Sequence, residues 1–254
     1  MEKFMTAQAE TISDEMVDSY RRQGFIHIPH LLSPEEVERY REEALKIADT
    51  KDNFNKGLPM IFSQYVNVWP EDEILRQLTL NPRVAAIARR LAGVPLRIWH
   101  DQILIKQPKK STPTEYHQDG PLWPHINQKH SISAWIALVD VPVERGCMTF
   151  VPGSNHWPDI KAQDLGDPNS LLSIKPDFAW EPRVTVPLRA GDCTFHSAYT
   201  AHTANSNITD VPRVAHIIIY MDADTRYNGN PHPVTDPLKL SAGQPLDDDI
   251  FPLV

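Results

Sequence analysis

The segment EYHQDGPLWP, residues 115–124, places a histidine and an aspartate at alternate positions just before a Gly-Pro bend. Side chains at positions i and i+2 of a β-strand project from the same face, so we expect His117 and Asp119 to reach one metal ion. A third ligand must then come from another part of the chain. The segment GDCTFHSAYTAHTANSN offers two candidates, His196 and His202. A polar strand end without a metal is the simpler alternative for the first pair.

Two histidines and one carboxylate form a donor set typical of non-haem Fe(II) oxygenases, because it leaves coordination positions open for other ligands. Zinc sites more often close with four protein ligands or keep a single water. The donor set therefore favours iron. Gln118, between the first two candidate ligands, is expected to point to the opposite face and to have no metal role. Four further histidines are interpreted as surface or core residues: His125, His130, His156 and His216.

The residues before position 95 are predicted to form helices that pack beside the site. Ser13, Ser33 and Asn81 are typical N-cap residues, and Gly24 and Gly93 are typical ends of the first and third helices. The segment FIHIPHLL, between the first two helices, is predicted to be a strand. The segment KGLPMIFSQYVNVWPED, between the second and third helices, is interpreted as a loop rich in aromatic residues.

From residue 96 the chain consists of short apolar or alternating runs separated by Pro, Gly, Asn and Asp, which is typical of β-strands joined by turns. The 23 prolines also suit many loops and edge strands. The predicted fold is mainly β with flanking helices: a double-stranded β-helix (jelly-roll, cupin-like) core preceded by N-terminal helices. We expect a single domain over residues 1–254, with a helical part over about 12–95, the jelly-roll core over about 96–224 and a loop-rich tail over 225–254. Six core strands are predicted in the segments LRIWHDQILIK, SISAWIALVDVP, MTFVP, RVTVPL, GDCTFHS and RVAHIIIYMDAD.

Several motifs, in this order along nearly the whole chain, resemble the phytanoyl-CoA dioxygenase family of Fe(II)/2-oxoglutarate-dependent oxygenases. The segment YRRQGFIHIPHLLSPEEVERYREEA resembles the opening helix–strand–helix unit of the family. DQILIKQP resembles its first core strand, HQDGPLWP its metal-binding segment and AWIALVDVPVERGCMTFVPGSNHW its long central motif. GDCTFHSAYTAHTANSN, followed by Arg213, resembles its closing motif.

The resemblance implies a role for individual residues. In the family, an arginine about one strand beyond the distal histidine binds the far carboxylate of 2-oxoglutarate. His202 lies eleven residues before Arg213, which fits that spacing, whereas His196 lies seventeen before it. His202 is therefore the expected third ligand, and His196 is a candidate for a position beside the metal. Lys106 and Trp135 fall where the family places contacts to the cosubstrate.

One position departs from the family pattern, because Ala204 stands where the family usually has a serine two residues beyond the distal histidine. A hydrogen bond to the cosubstrate is then either missing or supplied by Thr203, Asn205 or Asn207.

The implied reaction uses Fe(II), 2-oxoglutarate and O2 to oxidise an unactivated C–H bond of a small-molecule metabolite, with hydroxylation as the expected outcome and succinate and CO2 as by-products. Halogenase relatives lack the carboxylate ligand, so the presence of Asp119 favours oxygenation. Three segments with aromatic residues are expected to determine the substrate: residues 60–69, residues 121–128 and the tail from Tyr227.

The composition limits the remaining function classes. A formal charge of −8 disfavours a nucleic-acid partner, because phosphate binding needs a surplus of Lys and Arg. Neither a signal-like N-terminal segment nor a membrane-spanning apolar run is found, and the two cysteines provide no disulfide framework, so a cytoplasmic monomer or homodimer is expected. Two alternatives stay open: a cupin-type metalloenzyme that does not use 2-oxoglutarate, and a non-catalytic metal-binding relative.

Overall fold

A computed structural model describes residues 12–54, 62–109, 111–157, 160–246 and 249–254. Helices dominate the first third of the chain and strands dominate the rest. The helices are α1 (Asp14–Gln23), α2 (Pro34–Thr50), α3 (Glu73–Thr79), α4 (Pro82–Ala92) and α5 (Ser170–Ile174).

The ends of the helices follow the predicted capping signals. The Ser13 hydroxyl accepts a hydrogen bond from the backbone N–H of Met16 at the start of α1. Ser33 and Glu36 form the reciprocal capping box that begins α2. Gly24 ends α1 with φ +83°, and a Cβ there would lie 2.4 Å from the Thr200 hydroxyl, so no other residue fits this position without displacement.

Within the described residues, ten strands form two antiparallel sheets. The six-stranded sheet has the order β1-β8-β5-β10-β3-β2, and the four-stranded sheet has the order β4-β9-β6-β7. The strands are β1 (Phe25–Ile28), β2 (Ser63–Val66), β3 (Leu96–Lys106), β4 (Thr114–His117), β5 (Ile132–Ala137), β6 (Met148–Phe150), β7 (Val184–Val186), β8 (Cys193–Ser197), β9 (His202–Ala204) and β10 (Arg213–Asp222).

The mainly β jelly-roll prediction is confirmed, and all six predicted core strands are present. One prediction was wrong: the segment interpreted as a loop contains β2, which pairs with β3 and adds an edge strand to the large sheet. The sequence of β2 shows no regular alternation of apolar and polar residues, because most of this edge strand is only half-buried. Residues 55–61 of that segment lie outside the described part of the chain.

The six-stranded sheet has two functionally different faces. Helices α2 and α4 contact β10 and β5, respectively. The opposite face lines a cavity between the sheets, to which β3 contributes the alternating side chains His100, Gln102 and Leu104. Because successive side chains of a strand point to opposite faces of the sheet, each strand contributes alternate residues to the packed face and to the cavity.

Asp101, on the packed face of β3, fixes the connection between β2 and α3. Its Oδ1 accepts hydrogen bonds from the backbone N–H groups of Val68 (2.7 Å) and Trp69 (3.2 Å). Its Oδ2 accepts one from the Thr79 hydroxyl (3.1 Å), which also lies 3.0 Å from His216 Nε2. Burial raises the pKa of Asp101 to about 7, although these hydrogen bonds act in the opposite direction. His216 is thus a core residue, as the sequence indicates.

We predict that Asp101→Ala lowers the free energy of unfolding by about 3 kcal/mol, because it leaves two buried N–H groups without an acceptor. Asp101→Asn retains an oxygen for both N–H groups and should cost less. The raised pKa means that the folded wild type holds a proton which the unfolded chain has lost, so its stability should fall as the pH rises from about 4 to about 7. The asparagine variant should lack that part of the slope. Urea unfolding at several pH values tests both statements, and equal stability of the alanine variant and the wild type would contradict them.

Candidate metal centre

Strand pairing brings two histidines face to face. In the antiparallel pair β4–β9, His117 is directly opposite His202, and their ring centroids are 4.4 Å apart. Asp119 lies beside both: its Oδ1 is 3.5 Å from His117 Nε2 and 3.9 Å from His202 Nε2. In the described part of the chain, one ligand atom from each of these three residues lies within 4.8 Å of the others. The structure therefore brings together the three residues that the sequence singled out.

Asp119 reaches this position by a different route from the one predicted. Strand β4 ends at His117, and Asp119 has helical backbone angles (φ −68°, ψ −43°) at the start of a single turn over Gly120–Leu122. Strand alternation was therefore the wrong reason for the pairing of His117 with Asp119. The turn depends on Gly120, because a Cβ there would lie 2.6 Å from Gln128 Oε1.

Gln118 holds the same turn from the other side and takes no part in the triad. Its side-chain amide donates to the backbone carbonyl of Tyr199 (2.5 Å) and to that of Trp157 (3.1 Å). Its backbone N–H donates to Gln163 Oε1 (2.6 Å).

The protonation states of the triad suit a divalent cation. Nδ1 of His117 lies 2.8 Å from the Glu115 carbonyl, and Nδ1 of His202 lies 2.9 Å from the Thr200 carbonyl. A carbonyl can only accept, so both Nδ1 atoms carry a hydrogen, and the Nε2 atoms are the ring nitrogens that face Asp119. Burial lowers the pKa of His202 to about 3 and keeps the ring neutral.

The carboxylate of Asp119 is ionised. Burial alone would raise its pKa, but the contacts with His202, His117 and His196 together hold it well below the ordinary value. Two imidazoles and one carboxylate form the facial donor set of a non-haem iron site. The donor chemistry of these residues therefore fits Fe(II).

The second oxygen of Asp119 is held by two residues outside the triad. Ser133 Oγ donates to Oδ2 (3.1 Å), and His196 Nε2 lies 3.3 Å from the same atom. Because an ionised carboxylate only accepts, His196 Nε2 carries a hydrogen and has no lone pair for a metal. This geometry favours His202 over His196 as the candidate ligand and gives His196 a positioning role, since it orients the Asp119 carboxylate.

Arg213 is a buried cation at the first residue of β10, and it lines the same cavity as the triad. Its side chain is almost fully buried, and its Nε has no hydrogen-bond partner among the described residues. No carboxylate of the described chain forms an ion pair with it. The guanidinium lies over the Trp135 ring, with its carbon 5.2 Å from the ring centroid. Burial lowers the pKa of Arg213 to about 9, so it remains charged at neutral pH.

Lys106 lies next to Arg213, with which it pairs across β3 and β10. Its Nζ donates to the Thr112 carbonyl (2.8 Å) and to the Ala204 carbonyl (3.4 Å), and it is not among the residues that line the cavity. Burial and the neighbouring charge of Arg213 lower the pKa of Lys106 to about 6. Its predicted contact with the cosubstrate stays a prediction.

Two of the three residues that could replace the serine absent at position 204, Thr203 and Asn207, use their side chains for other hydrogen bonds. The Thr203 hydroxyl donates to the Thr114 carbonyl (2.5 Å). The Asn207 amide donates to the Lys106 and Val211 carbonyls (3.1 and 2.8 Å). Both side chains are therefore committed to holding the backbone.

The cavity has a volume of about 290 Å³ and draws on all three segments that the sequence marked as substrate-determining. Phe62, Gln64 and Val66 come from the first; Leu122 and Trp123 come from the second; His232 and Pro233 come from the tail. The other residues of the first segment up to position 61 lie outside the described part of the chain.

Sequence reasoning missed His100, Gln102 and His232, which also line the cavity. A signal for the first two was available, because they alternate with Lys106 along one predicted strand. His232 lies in a loop-rich segment where no periodicity applies.

A sequence model of the phytanoyl-CoA dioxygenase (PhyH) family matches residues 20–215. The chain belongs to the phytanoyl-CoA dioxygenase family. The match includes the triad, Arg213, Lys106 and Trp135.

Curated relatives and solved structures are similar to this chain over most of its length. Ectoine dioxygenase of Bordetella parapertussis is 26% identical over 94% of this chain and 87% of its own length. The non-haem α-ketoglutarate-dependent carbocyclase SnoK from nogalamycin biosynthesis is 42% identical, with a TM-score of 0.86 over 97% of this chain and 98% of its own. The epimerase SnoN, solved with Fe3+, α-ketoglutarate and nogalamycin RO, is 40% identical, with a TM-score of 0.84 over 94% of this chain and 97% of its own.

Family membership and these relatives confirm the predicted enzyme class, a 2-oxoglutarate-dependent non-haem iron oxygenase. Among the described residues, no helix is both long and apolar enough to cross a membrane.

We predict that His202→Ala abolishes tight Fe(II) binding, whereas His196→Ala keeps the ion but binds it about 10- to 100-fold more weakly, because it only orients Asp119. Anaerobic titration with Fe(II) measures both affinities. His156→Ala is the matched control, since His156 is exposed and lies outside the cavity. Retention of iron by the His202 variant together with its loss from the His196 variant would show that the wrong histidine has been assigned.

Proposed function

We propose that His117, Asp119 and His202 hold Fe(II), and that Arg213 binds the far carboxylate of 2-oxoglutarate while Trp135 and Lys106 complete the cosubstrate site. The observation that carries this proposal is the buried Arg213 guanidinium, which shares a cavity with the triad and has no acidic partner among the described residues. A buried unpaired cation is costly, so an anionic ligand is the natural partner for it. The planar fork of arginine suits a carboxylate.

Trp135 supports the cosubstrate role of Arg213 by restricting it. The guanidinium rests on the indole face, which favours one orientation of the fork through a cation–π contact. Lys106 adds a second basic group beside Arg213. The charge of Arg213 therefore lies in the same cavity as the triad.

When bound, iron with 2-oxoglutarate and O2 supplies the oxidant that removes a hydrogen atom from an unactivated C–H bond. The residues of the chain bind and orient the reactants and exclude water from them. Ser133 and His196 hold Oδ2 of Asp119, so that Oδ1 is presented to the side of the two histidine Nε2 atoms. Apolar side chains of the cavity limit access of water to the reacting centre.

The proposed substrate is a small-molecule metabolite held against the wall formed by Phe62, Leu122 and Trp123. The relatives named above act on ectoine or belong to nogalamycin biosynthesis, which supports a compact organic substrate over a macromolecule. We place the protein in the cytoplasm as a single-domain monomer or homodimer of residues 1–254, with no nucleic-acid or membrane partner.

Hydroxylation remains the proposed reaction. Two similar proteins of known structure catalyse other reactions, so the product analysis must also be able to detect those. One is a carbocyclase and the other an epimerase. All three reactions can begin with removal of a hydrogen atom from carbon. They differ in the product: hydroxylation adds an oxygen atom, ring closure removes two hydrogen atoms and epimerisation leaves the formula unchanged.

The two alternatives from the sequence lose support. A cupin-type enzyme that does not use 2-oxoglutarate has no need for an unpaired buried arginine facing the metal ligands. A non-catalytic relative would be expected to have lost a ligand, yet all three donor atoms lie within 4.8 Å of one another.

Arg213→Leu should weaken 2-oxoglutarate binding by about 2–5 kcal/mol, because the far carboxylate would be left unpaired in a buried pocket. Fe(II) affinity should be nearly unchanged, and the melting temperature should not fall, since the substitution removes a buried charge. Calorimetry without O2 measures both affinities. Arg89→Leu is the matched control, on the exposed surface of α4. Unchanged 2-oxoglutarate affinity in the Arg213 variant would favour the cupin alternative.

The wild-type protein should release succinate from 2-oxoglutarate only in the presence of Fe(II), with stimulation by its substrate in a metabolite panel. Mass spectrometry of the product identifies the reaction by its change in formula. No halogenated product is expected in chloride or bromide buffer, because Asp119 occupies the position that a halide would need. A halogenated product from the unmodified chain would overturn the role of Asp119 as a ligand, and Asp119→Gly should be largely inactive.

A further inference from the structure

Two cavity-lining histidines outside the triad, His100 and His232, have fixed and complementary hydrogen-bonding states. His100 lies on the cavity face of β3, and His232 comes from the C-terminal tail. Their ring centroids are 5.5 Å apart, and the planes are inclined by 30°. Neither residue takes part in the proposed metal or cosubstrate contacts.

His100 presents an acceptor. Its Nδ1 lies 3.1 Å from the Asp101 carbonyl, which can only accept, so Nδ1 carries the hydrogen. Its Nε2 is buried and has no hydrogen-bond partner among the described residues. Burial lowers the pKa of His100 to about 3, so the ring is neutral and this nitrogen keeps a lone pair. A buried acceptor without a donor costs free energy until a ligand supplies one.

His232 presents a donor. Its Nδ1 lies 3.2 Å from the backbone N–H of Val234, which can only donate, so Nδ1 accepts and Nε2 carries the hydrogen. Burial lowers the pKa of His232 to about 4, so this ring is also neutral at physiological pH. The two rings therefore offer one lone pair and one N–H group within the same part of the cavity.

We propose that His100 and His232 recognise one hydroxyl group of the substrate, which donates to His100 Nε2 and accepts from His232 Nε2. This inference deepens the proposed function and rests on it, because it assigns a substrate class to the same cavity. A ketone or an ether can only accept, so it satisfies His232 and leaves His100 unpaired. The pair thus discriminates an alcohol or phenol from its oxidised or alkylated analogue.

The surrounding walls define the rest of the substrate. Leu122, Trp123 and Pro233 line the cavity as apolar or aromatic surfaces. A flat apolar ring system suits such walls, because its area is removed from water without leaving polar groups unpaired. The substrate class is therefore a largely apolar cyclic compound with a hydroxyl group.

The tautomers can be tested without any ligand. Long-range proton–nitrogen correlation spectra of the full chain, labelled with 15N at histidine, should show hydrogen on Nδ1 of His100 and on Nε2 of His232 at neutral pH. His100→Phe and His232→Phe assign the two signals. The opposite tautomer of either ring would overturn the inference.

Hydroxyl recognition is tested with three bicyclic probes: β-tetralol, β-tetralone and the methyl ether of β-tetralol. On the protein loaded with Fe(II) and 2-oxoglutarate without O2, calorimetry should show the alcohol binding about 10-fold or more tightly than the other two. His100→Phe should remove this preference, whereas His232→Phe should weaken all three probes, since each accepts from that ring. His156→Phe should behave like the wild type. An alcohol preference that is absent from the wild type, or unchanged in His100→Phe, would refute the inference.

Parallel titrations with Fe(II) and 2-oxoglutarate separate this inference from the proposed function. Failure of the wild type to bind 2-oxoglutarate would contradict the proposed function, and the probe preference measured without cosubstrate would still decide the inference. Loss of 2-oxoglutarate binding confined to the His100 or His232 variant would place these rings in the cosubstrate site and overturn their role in hydroxyl recognition.

Discussion

The register of β4 against β9 is the constraint on which the site depends. It sets His117 opposite His202 in a pair of short strands from distant parts of the chain, and a shift by one residue would turn one ring to the other face of the sheet. The neighbouring elements secure that register. Gln118 anchors the turn after β4, and the Thr203 hydroxyl ties β9 to the Thr114 carbonyl. The same hydrogen bonds therefore hold both the fold and the proposed metal centre.

The cavity is divided electrostatically by the elements that form it. One part receives the Arg213 cation of β10, another the carboxylate of Asp119, and a third the neutral rings of His100 and His232. Burial keeps these rings uncharged, so they can distinguish donors from acceptors without attracting ions. Under the proposed assignments, an anionic cosubstrate and a neutral substrate would bind in different parts of a single pocket.

Much of this arrangement could be predicted from the sequence, because the signals were local. Capping residues marked the ends of α1, α2 and α4, and apolar alternation marked the long strands. The resemblance to the family, through the spacing of His202 from Arg213, indicated the site. Strand β2 and the cavity residue His232 could not be found in this way. Pairing of β2 with β3 is a tertiary event. The hydrogen-bonding state of His100 depends on which ring nitrogen contacts the Asp101 carbonyl, which the sequence does not show. Even Asp119 was placed correctly for a reason that the turn at Gly120 shows to be wrong.

The adjacency of Lys106 and Arg213 has a consequence for the proton balance of the enzyme. The pKa of Lys106 is about 6. When no anion is bound, Arg213 is therefore charged at neutral pH, whereas the Lys106 amine is not. A bound dicarboxylate would favour the ammonium form, so its arrival would draw a proton from the solvent. Below about pH 6 the Lys106 amine is already charged, so binding of the dicarboxylate takes up no proton. At higher pH, binding of the dicarboxylate would be accompanied by uptake of one proton by Lys106. In the proposed cosubstrate site, affinity would therefore decline as the solution becomes more alkaline, and the measured heat of binding would depend on the buffer that gives up the proton.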